Sequence, residues 1–139
     1  MVHSTQASSL QTAYTKTFLE DFFSTQGQGF ELEIWHSITG TAGTKTVEVS
    51  LGGVTLLTAT IASSTATTKI RVSLRVVDAS SSSYVLTEIY QNGVTPVLVY
   101  TDVTTVNFTT GDRDLIVKHD VTNIADTSHI RNVDLKIQR

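Results

Sequence analysis

Residues Gly43 to Ile61 read GTKTVEVSLGGVTLLTATI, and this stretch decides the fold class of the chain. Apolar and polar residues alternate on both sides of Gly52-Gly53, with Val47, Val49 and Leu51 in one phase. Because successive side chains of a strand point to opposite faces, each run offers one face to a core and one to solvent. Two glycines between such runs favour the tight turn of a hairpin. The stretch therefore predicts two antiparallel strands.

The same alternation continues along most of the chain, and no helical stretch long enough for a parallel crossover interrupts it. We therefore predict an all-β fold, an antiparallel jelly-roll sandwich of roughly eight or nine strands with a short N-terminal arm. Ala62–Thr68 is predicted to be a loop, and Asn92-Gly93 a hairpin turn. The further strands are predicted at Phe30–Ile34, Ile70–Val76, Tyr84–Gln91, Val97–Tyr100, Val103–Thr109, Leu115–Val121 and Ile130–Gln138, the last with Val133, Leu135 and Ile137 inward.

The N-terminal residues lack this alternation. Met1–Ala13 are small and polar apart from a few residues such as Val2 and Leu10, so they bury too little apolar surface to order themselves. We therefore divide the chain into an N-terminal arm, residues 1–13, and one β-sandwich (jelly-roll) domain, residues 14–139.

The composition excludes several classes of function. The 139 residues contain no cysteine, which rules out disulfides and thiolate metal sites. Ten basic and thirteen acidic residues give a net charge of -3 without a basic cluster, so no nucleic-acid partner is expected. No apolar run approaches the roughly twenty residues that span a bilayer, and the N-terminus does not resemble a signal peptide. We expect a soluble protein with no membrane partner.

The histidines do not form a metal-binding pattern. A catalytic zinc site needs three converging ligands, and the chain has no His-x-His or His-x-x-x-His pair. The nearest grouping is His119-Asp120, Asp126 and His129. His119 shares the phase of Leu115 and Val117 and is therefore predicted to be a core or boundary residue. No metal and no cofactor are expected.

Two groupings of carboxylates are candidates for chemistry. Asp112-Arg113-Asp114 offers oxygens for calcium, but the arginine between them favours a solvated turn. Glu31 and Glu33 share one strand face, as the two carboxylates of a glycosidase would, but such pairs are common on outer strand faces. No Gly-x-Ser-x-Gly elbow is present. The sequence therefore predicts a protein that is not an enzyme.

The predicted hairpin from Tyr84 to Tyr100 is apolar in both phases. A sandwich strand needs only one buried face, so the second must be covered by a loop, by the N-terminal segment or by another subunit. Tyrosine is favoured in interfaces. Trp35 is either a core anchor or an interface aromatic. The predicted interface residues are Tyr84, Leu86, Tyr90, Leu98, Tyr100 and Trp35.

Three motifs resemble the jelly-roll domains of tailed-bacteriophage structural proteins. They are Gly-x-Gly-Phe-x-Leu-x-Ile at Gly27–Ile34, Thr-Gly-Thr-Ala-Gly-Thr-Lys-Thr-Val at Thr39–Val47 with its continuation to Leu57, and Ile-Arg-Val-x-Leu-Arg-Val at Ile70–Val76. Domains of that family decorate capsids or tip tail fibres and typically assemble as trimers. The resemblance implies a virion protein whose partners are copies of itself, as a homotrimer, and the major capsid protein or other virion proteins.

The short segment before the first structural element favours a capsid decoration, or cement, protein over a fibre tip. In that interpretation the arm orders on the assembled shell, with Val2, His3 and Leu10 as contacts, and binding stabilises the shell. The alternative is a receptor- or glycan-binding tip of a tail fibre or tail spike. The predicted loops Ala62–Thr68 and Ser80–Ser83 contain no aromatic residue for that role.

Overall fold

A computed structural model describes residues 3–19, 22–23, 25–78, 82–91, 97–103 and 111–138, with side chains described outside 77–110. No helix in these residues is long and apolar enough to cross a membrane. The described strands are β1 (His3–Thr5), β2 (Gln11–Phe18), β3 (Gly29–Thr39), β4 (Thr44–Leu51), β5 (Val54–Ala62), β6 (Thr65–Asp78), β7 (Ser82–Gln91), β8 (Val97–Val103), β9 (Arg113–Val121) and β10 (Thr127–Gln138).

The strands form two antiparallel sheets that pack as a sandwich. One sheet has the order β1-β10-β3-β6-β7-β8, and the other has the order β2-β9-β4-β5. The first four strands of the larger sheet and the four strands of the smaller sheet have the strand order of a jelly roll. The β7–β8 hairpin extends the larger sheet beyond β6. The predicted all-β, antiparallel jelly-roll sandwich is confirmed, with ten strands in the described residues.

The β4–β5 hairpin forms as its sequence predicts. Gly52 and Gly53 have φ values of 56° and 82°, which suit a two-residue turn that favours glycine at both positions. Side chains of β4 alternate between buried and half-buried along the strand. A bulge between Val49 and Ser50 changes the register, and as a result Leu56 and Leu57 are both buried.

The core lies between the two sheets and divides into an apolar part and a polar part. The apolar part is closed at one end by Phe18, Phe23 and Phe30, whose ring centroids lie 5.0 to 6.3 Å apart. Each fully buried side chain of this size contributes about 1.5 to 3 kcal/mol. The polar part contains His36 and His119, both fully buried.

The N-terminal segment differs from the prediction of an arm. Residues 3–5 form β1, an edge strand on Ser128–Ile130 of β10, and β2 begins at Gln11 inside the predicted arm. Backbone pairing and a buried Thr5 order a segment whose composition suggested too little apolar surface. The predicted loop Ala62–Thr68 also differs, because β5 and β6 occupy all of it except residues 63–64.

Some predictions fall outside the described residues. The predicted Asn92-Gly93 turn lies outside the described residues, and so do residues 104–109 of the predicted strand Val103–Thr109. The predicted strand Leu115–Val121 corresponds to β9 and Ile130–Gln138 to β10. Val133 and Leu135 pack against the core as predicted, but Ile137 is 39% exposed at the sheet margin.

Candidate functional site

A charged strip crosses the outer face of the larger sheet. Glu33 of β3 lies opposite Arg71 of β6, and Arg71 Nη2 donates to Glu33 Oε2 at 3.3 Å. Lys69 Nζ lies 3.2 Å from the same oxygen, and Arg71 Nε lies 3.8 Å from Glu31 Oε1. Two glutamates and two cations therefore form one partly exposed network, in which single pairs contribute little to stability.

The ionisation of Glu33 follows from this network. Partial burial acts to raise the pKa of Glu33, but hydrogen bonds from Lys69, Arg71 and Trp35 outweigh it and lower the pKa below its ordinary value. An ionised carboxylate does not serve as a general acid. Glu31 and Glu33 line a depression of about 30 Å³, which is close to the volume of one water molecule. Among the described residues, the depression that the two side chains line is therefore too small for a sugar ring.

Trp35 lies on this outer face and is 40% exposed, so the interpretation of Trp35 as a core anchor is not supported. Its Nε1 donates to Glu33 Oε1 at 3.0 Å, and Lys69 Nζ lies 5.1 Å from the ring centroid. The ring is fixed by a hydrogen bond and a cation–π contact. A fixed, half-exposed indole among charged side chains is a candidate contact surface, and its interface role stays a prediction.

A second polar cluster lies inside the sandwich, where strands of both sheets meet. His3 Nδ1 lies 2.6 Å from His119 Nε2, and His119 Nδ1 lies 2.8 Å from Ser128 Oγ. His36 Nε2 lies 2.7 Å from the same hydroxyl. We call His3, His36, His119 and Ser128 the histidine cluster. It joins β1, β3, β9 and β10 in one hydrogen-bonded chain.

Burial keeps two members of the histidine cluster, His36 and His119, neutral. Desolvation, followed by repulsion from His119 and His129, lowers the pKa of His36 to about 3. Desolvation, followed by repulsion from His3 and His129, lowers the pKa of His119 to about 4. Ser128 with two imidazoles in reach has the donor and acceptor types of a nucleophile and base, but it is fully buried. In this conformation the cluster has a structural role.

The prediction that His119 is a core or boundary residue is confirmed, because its side chain is buried and has two hydrogen-bond partners. His129 lies one residue after Ser128 and therefore on the other side of β10, where its Nδ1 lies 2.8 Å from Ser4 Oγ. Asp126 is engaged elsewhere. Within the described residues, no three His, Cys, Asp or Glu side chains come together to hold a metal ion.

Sequence reasoning assigned no role to the buried ion pair of Lys45 and Asp126. Both side chains have no solvent exposure, and Nζ lies 3.1 Å from Oδ2. Lys45 Nζ also donates to the carbonyl oxygens of Thr41 and Ser63, while Asp126 accepts from the Thr41 N–H. The pair holds the β3–β4 turn against the β9–β10 turn. The signal was present in the sequence, since Lys45 shares the phase of the buried positions of β4.

The turn at Gly111 is solvated as predicted. Arg113 Nη1 donates to the carbonyl oxygens of Gly111 and Asp112 at 3.3 and 3.1 Å. Asp114 Oδ1 accepts from Thr17 Oγ1 at 2.6 Å. Arg113 therefore contacts backbone oxygens of this turn, and the expectation that the turn binds no calcium stays a prediction.

The remaining predicted contact residues are only partly described. The backbone of β7 and β8 carries five of them, but their side chains lie outside the described part of the chain, and so does Val2. His3 is half-buried in the histidine cluster rather than free for a shell contact. Leu10 is 36% exposed between β1 and β2 and stays a predicted contact. The five residues are Tyr84, Leu86, Tyr90, Leu98 and Tyr100.

The chain matches no protein-family model and no curated protein. Among solved structures it is similar to the crystal structure of the alginate lyase from Klebsiella pneumoniae, at 7% sequence identity and a TM-score of 0.48. The alignment covers 81% of this chain and 61% of the lyase chain, so this chain spans less than two thirds of that protein. The likeness carries no argument about chemistry, and the resemblance to phage domains stays a prediction.

The prediction that the chain is not an enzyme is corrected by this comparison. It rested on the lack of a catalytic signature, whereas a solved structure similar to this sandwich is a lyase. A fold does not fix a function, so the prediction was wrong to exclude catalysis. At 7% identity the comparison assigns no reaction to this chain either.

Proposed function

We propose that the chain is a virion structural protein, a capsid decoration (cement) protein that binds the assembled shell as a homotrimer. One observation carries the proposal. The larger sheet has two more strands, β7 and β8, than the sheet that faces it. The sequences of these two strands are apolar in both phases, and this favours cover by another subunit.

The proposed mechanism is stabilisation by binding. A protein that binds only the assembled shell shifts the equilibrium toward assembly by mass action. A closed threefold arrangement uses one apolar surface per subunit without leaving a free copy that continues to polymerise. The jelly roll supplies a packed body for this role, because its two sheets enclose one apolar core.

Light scattering of the purified chain tests the threefold assembly. We expect the mass of a trimer, or of a multiple of three subunits. Tyr90→Ser and Leu98→Ser in β7 and β8 should reduce the assembly, whereas the control Thr58→Ser in β5 should not. A wild-type mass that is not a multiple of three subunits would overturn the trimer.

A test of the shell contact needs a point substitution instead of a truncation. Deletion of residues 1–13 removes β1 and the start of β2, so it would damage the sandwich itself. Leu10→Asp changes an exposed side chain and leaves both strands in place. We expect Leu10→Asp to weaken co-sedimentation with purified virions and Thr58→Ser to leave it unchanged. Failure of the wild-type chain to bind or to occur in virions would contradict the proposal.

A glycan-binding tip is the second candidate, because Trp35 is half-exposed on a polar sheet face. An aromatic ring beside charged groups that orient a ligand is the composition of a small-molecule site. Glycan-array binding that is lost in Trp35→Ala and retained in Ile124→Ala, an exposed control, would favour this candidate over a decoration protein. We expect no binding above background.

A further inference from the structure

One margin of the larger sheet has an open edge. Strand β1 pairs with β10 only at Ser128–Ile130, and a bulge follows between Ile130 and Asn132. From Asn132 to Gln138, β10 pairs with β3 on one side, and no strand among the described residues pairs with its other side. An edge of this length presents a row of backbone donors and acceptors that fits another strand.

The side chains of this edge form two rows. The row toward the interior is apolar, and it becomes more exposed toward the end of the strand, where Ile137 is 39% exposed. Beside Ile137 lies a surface pocket of about 330 Å³ that Phe18, Leu19 and Phe22 also line. Leu19 is 70% exposed. The edge therefore combines free backbone groups with adjacent apolar surface.

The outward row contains two charged side chains, Asp134 and Lys136, and the first of them faces a like charge. Asp134 lies directly opposite Glu33 of β3, and like charges at opposed positions are unfavourable. Glu33 is already engaged by Lys69 and Arg71. Within the described residues, neither Asp134 nor Lys136 makes an ion pair. A cation placed opposite Asp134 from the open side would relieve this repulsion.

We propose that β10 pairs antiparallel with β10 of a second copy about a two-fold axis at Leu135. In that register Asp134 lies opposite Lys136 of the second copy, and the pair occurs twice by symmetry. Val133 lies opposite Ile137 of the second copy, and Asn132 lies opposite Gln138. Each row thus meets a row of matching chemistry, and the two larger sheets become one continuous sheet.

Neighbouring registers are unfavourable for the same charges. A two-fold axis that keeps the apolar rows on one face must pass through a residue, so the nearest alternatives to Leu135 are centred on Asp134 or on Lys136. The first places two aspartates opposite each other, and the second places two lysines opposite each other. The charges therefore select the pairing about Leu135 and exclude a slip of one residue.

This contact is separate from the proposed trimer interface. In the larger sheet, β8 is at one edge and β10 lies at the other, beside the short β1. With the proposed trimer, pairing through β10 gives a closed hexamer when its two-fold axis crosses the threefold axis, and this is the assembly that we expect. A failure of the threefold assembly leaves a dimer, and a failure of the β10 pairing leaves a trimer, so the two proposals fail in different ways.

The first test changes the two charges. We expect the wild-type mass in light scattering to be an even multiple of the subunit, and Asp134→Lys and Lys136→Asp to halve it. Either reversal replaces two attractive pairs by two repulsive ones and should weaken association roughly tenfold or more. Lys118→Asp, on the outer face of β9, is the control for net charge. An odd wild-type multiple, or unchanged masses in both variants, would overturn the proposal.

A mixing experiment separates pairing from folding. Asp134→Lys places a cation opposite Glu33, so this variant should fold at least as well as the wild type. When Asp134→Lys and Lys136→Asp chains are mixed, each lysine meets an aspartate, and heterodimers should form. The Asp134→Lys/Lys136→Asp double variant should also regain the wild-type mass. Absence of both recoveries would contradict the charge pairing.

A single cysteine tests the register, because the chain contains none. Opposed residues of antiparallel strands have Cα atoms roughly 4.5 to 5.5 Å apart, which a disulfide spans. Leu135→Cys should therefore form a covalent dimer under mild oxidation. Val133→Cys should not form a covalent dimer, because residue 133 lies opposite residue 137 of the second copy and four positions away from residue 133 of that copy. Equal cross-linking of both variants would overturn the register.

Discussion

At the level of single residues, His36 links the stability of the sandwich to pH. It lies on the inner face of β3, where one ring nitrogen is hydrogen-bonded to Ser128 and the other has no hydrogen-bond partner among the described residues. The groups that face it are His119 of β9 and Ser128 of β10, and His129 repels its charged form. A protonated His36 would therefore be a buried charge with no ion-pair partner in the described part of the chain.

We predict that acid destabilises the fold through this residue. The unfolded chain protonates His36 near pH 6.5, whereas folding lowers the pKa to about 3. The contribution of His36 to the free energy of unfolding is therefore fully present above about pH 6.5, and it is lost as the pH decreases toward the folded pKa. His36 alone should lower it by about 2 kcal/mol between pH 7 and pH 5. Urea unfolding at both pH values measures this.

The control for that prediction is a second histidine. In His36→Gln the pH dependence between pH 7 and pH 5 should become shallower, whatever the absolute stability of the variant. His129→Gln removes a more exposed imidazole and should leave most of the dependence in place. Equal slopes in the wild type and His36→Gln would contradict the role of this residue.

The buried pair of Lys45 and Asp126 gives a second prediction at this scale. In Lys45→Met the Asp126 carboxylate stays buried without its cation, so the melting temperature should fall by roughly 10 °C or more. Adding Asp126→Asn removes the orphaned charge and keeps an acceptor for Thr41, so part of the loss should be recovered. Lys118→Met, a surface control, should change little. A further loss in the double variant would contradict the argument.

At the level of elements, strand β1 closes the polar part of the core. It pairs with three residues of β10 and places His3 against His119, with ring centroids 4.9 Å apart. Strand β1 is short and lies at a sheet edge, so it is the element whose release costs least. Its departure would open the histidine cluster to water.

We therefore predict that deletion of residues 1–5 loosens this part of the core selectively. Amide hydrogens of Ile130 and of β9 near His119 should exchange faster in the truncated chain, because both lose the cover of β1. Amides of the β4–β5 hairpin near Val49, in the apolar part, should be protected as before. Hydrogen exchange with mass spectrometry distinguishes this from a uniform loss of protection, which would contradict a local role for β1.

Elements with a strict alternation were predictable from the sequence, and those held by pairing alone were not. The β4–β5 hairpin follows from its period and its two glycines, and β6 follows from the alternation of Ile70–Val76. Strand β1 has no apolar period, and its order depends on a partner strand more than a hundred residues away. The histidine cluster was missed for the same reason, since its members come from four separate strands.

At the level of the whole molecule, the two edges of the larger sheet are not equivalent. The β8 edge belongs to a hairpin added to the jelly roll, and its sequence is apolar in both phases. The β10 edge carries Asp134 and Lys136, which lie opposite each other when the strand pairs antiparallel with a second copy of itself. Both proposals therefore predict an assembly whose stability depends on protein concentration.

Association should be visible as a concentration-dependent melting temperature. Because the assembled state is stabilised by mass action and the unfolded chain is not, a hundredfold rise in protein concentration should raise the melting temperature by about 5 °C. Calorimetry of the wild type and of Asp134→Lys at both concentrations measures the effect. The variant should show a smaller rise, since only the hairpin contact remains. A melting temperature that is independent of concentration in the wild type would show that neither edge associates.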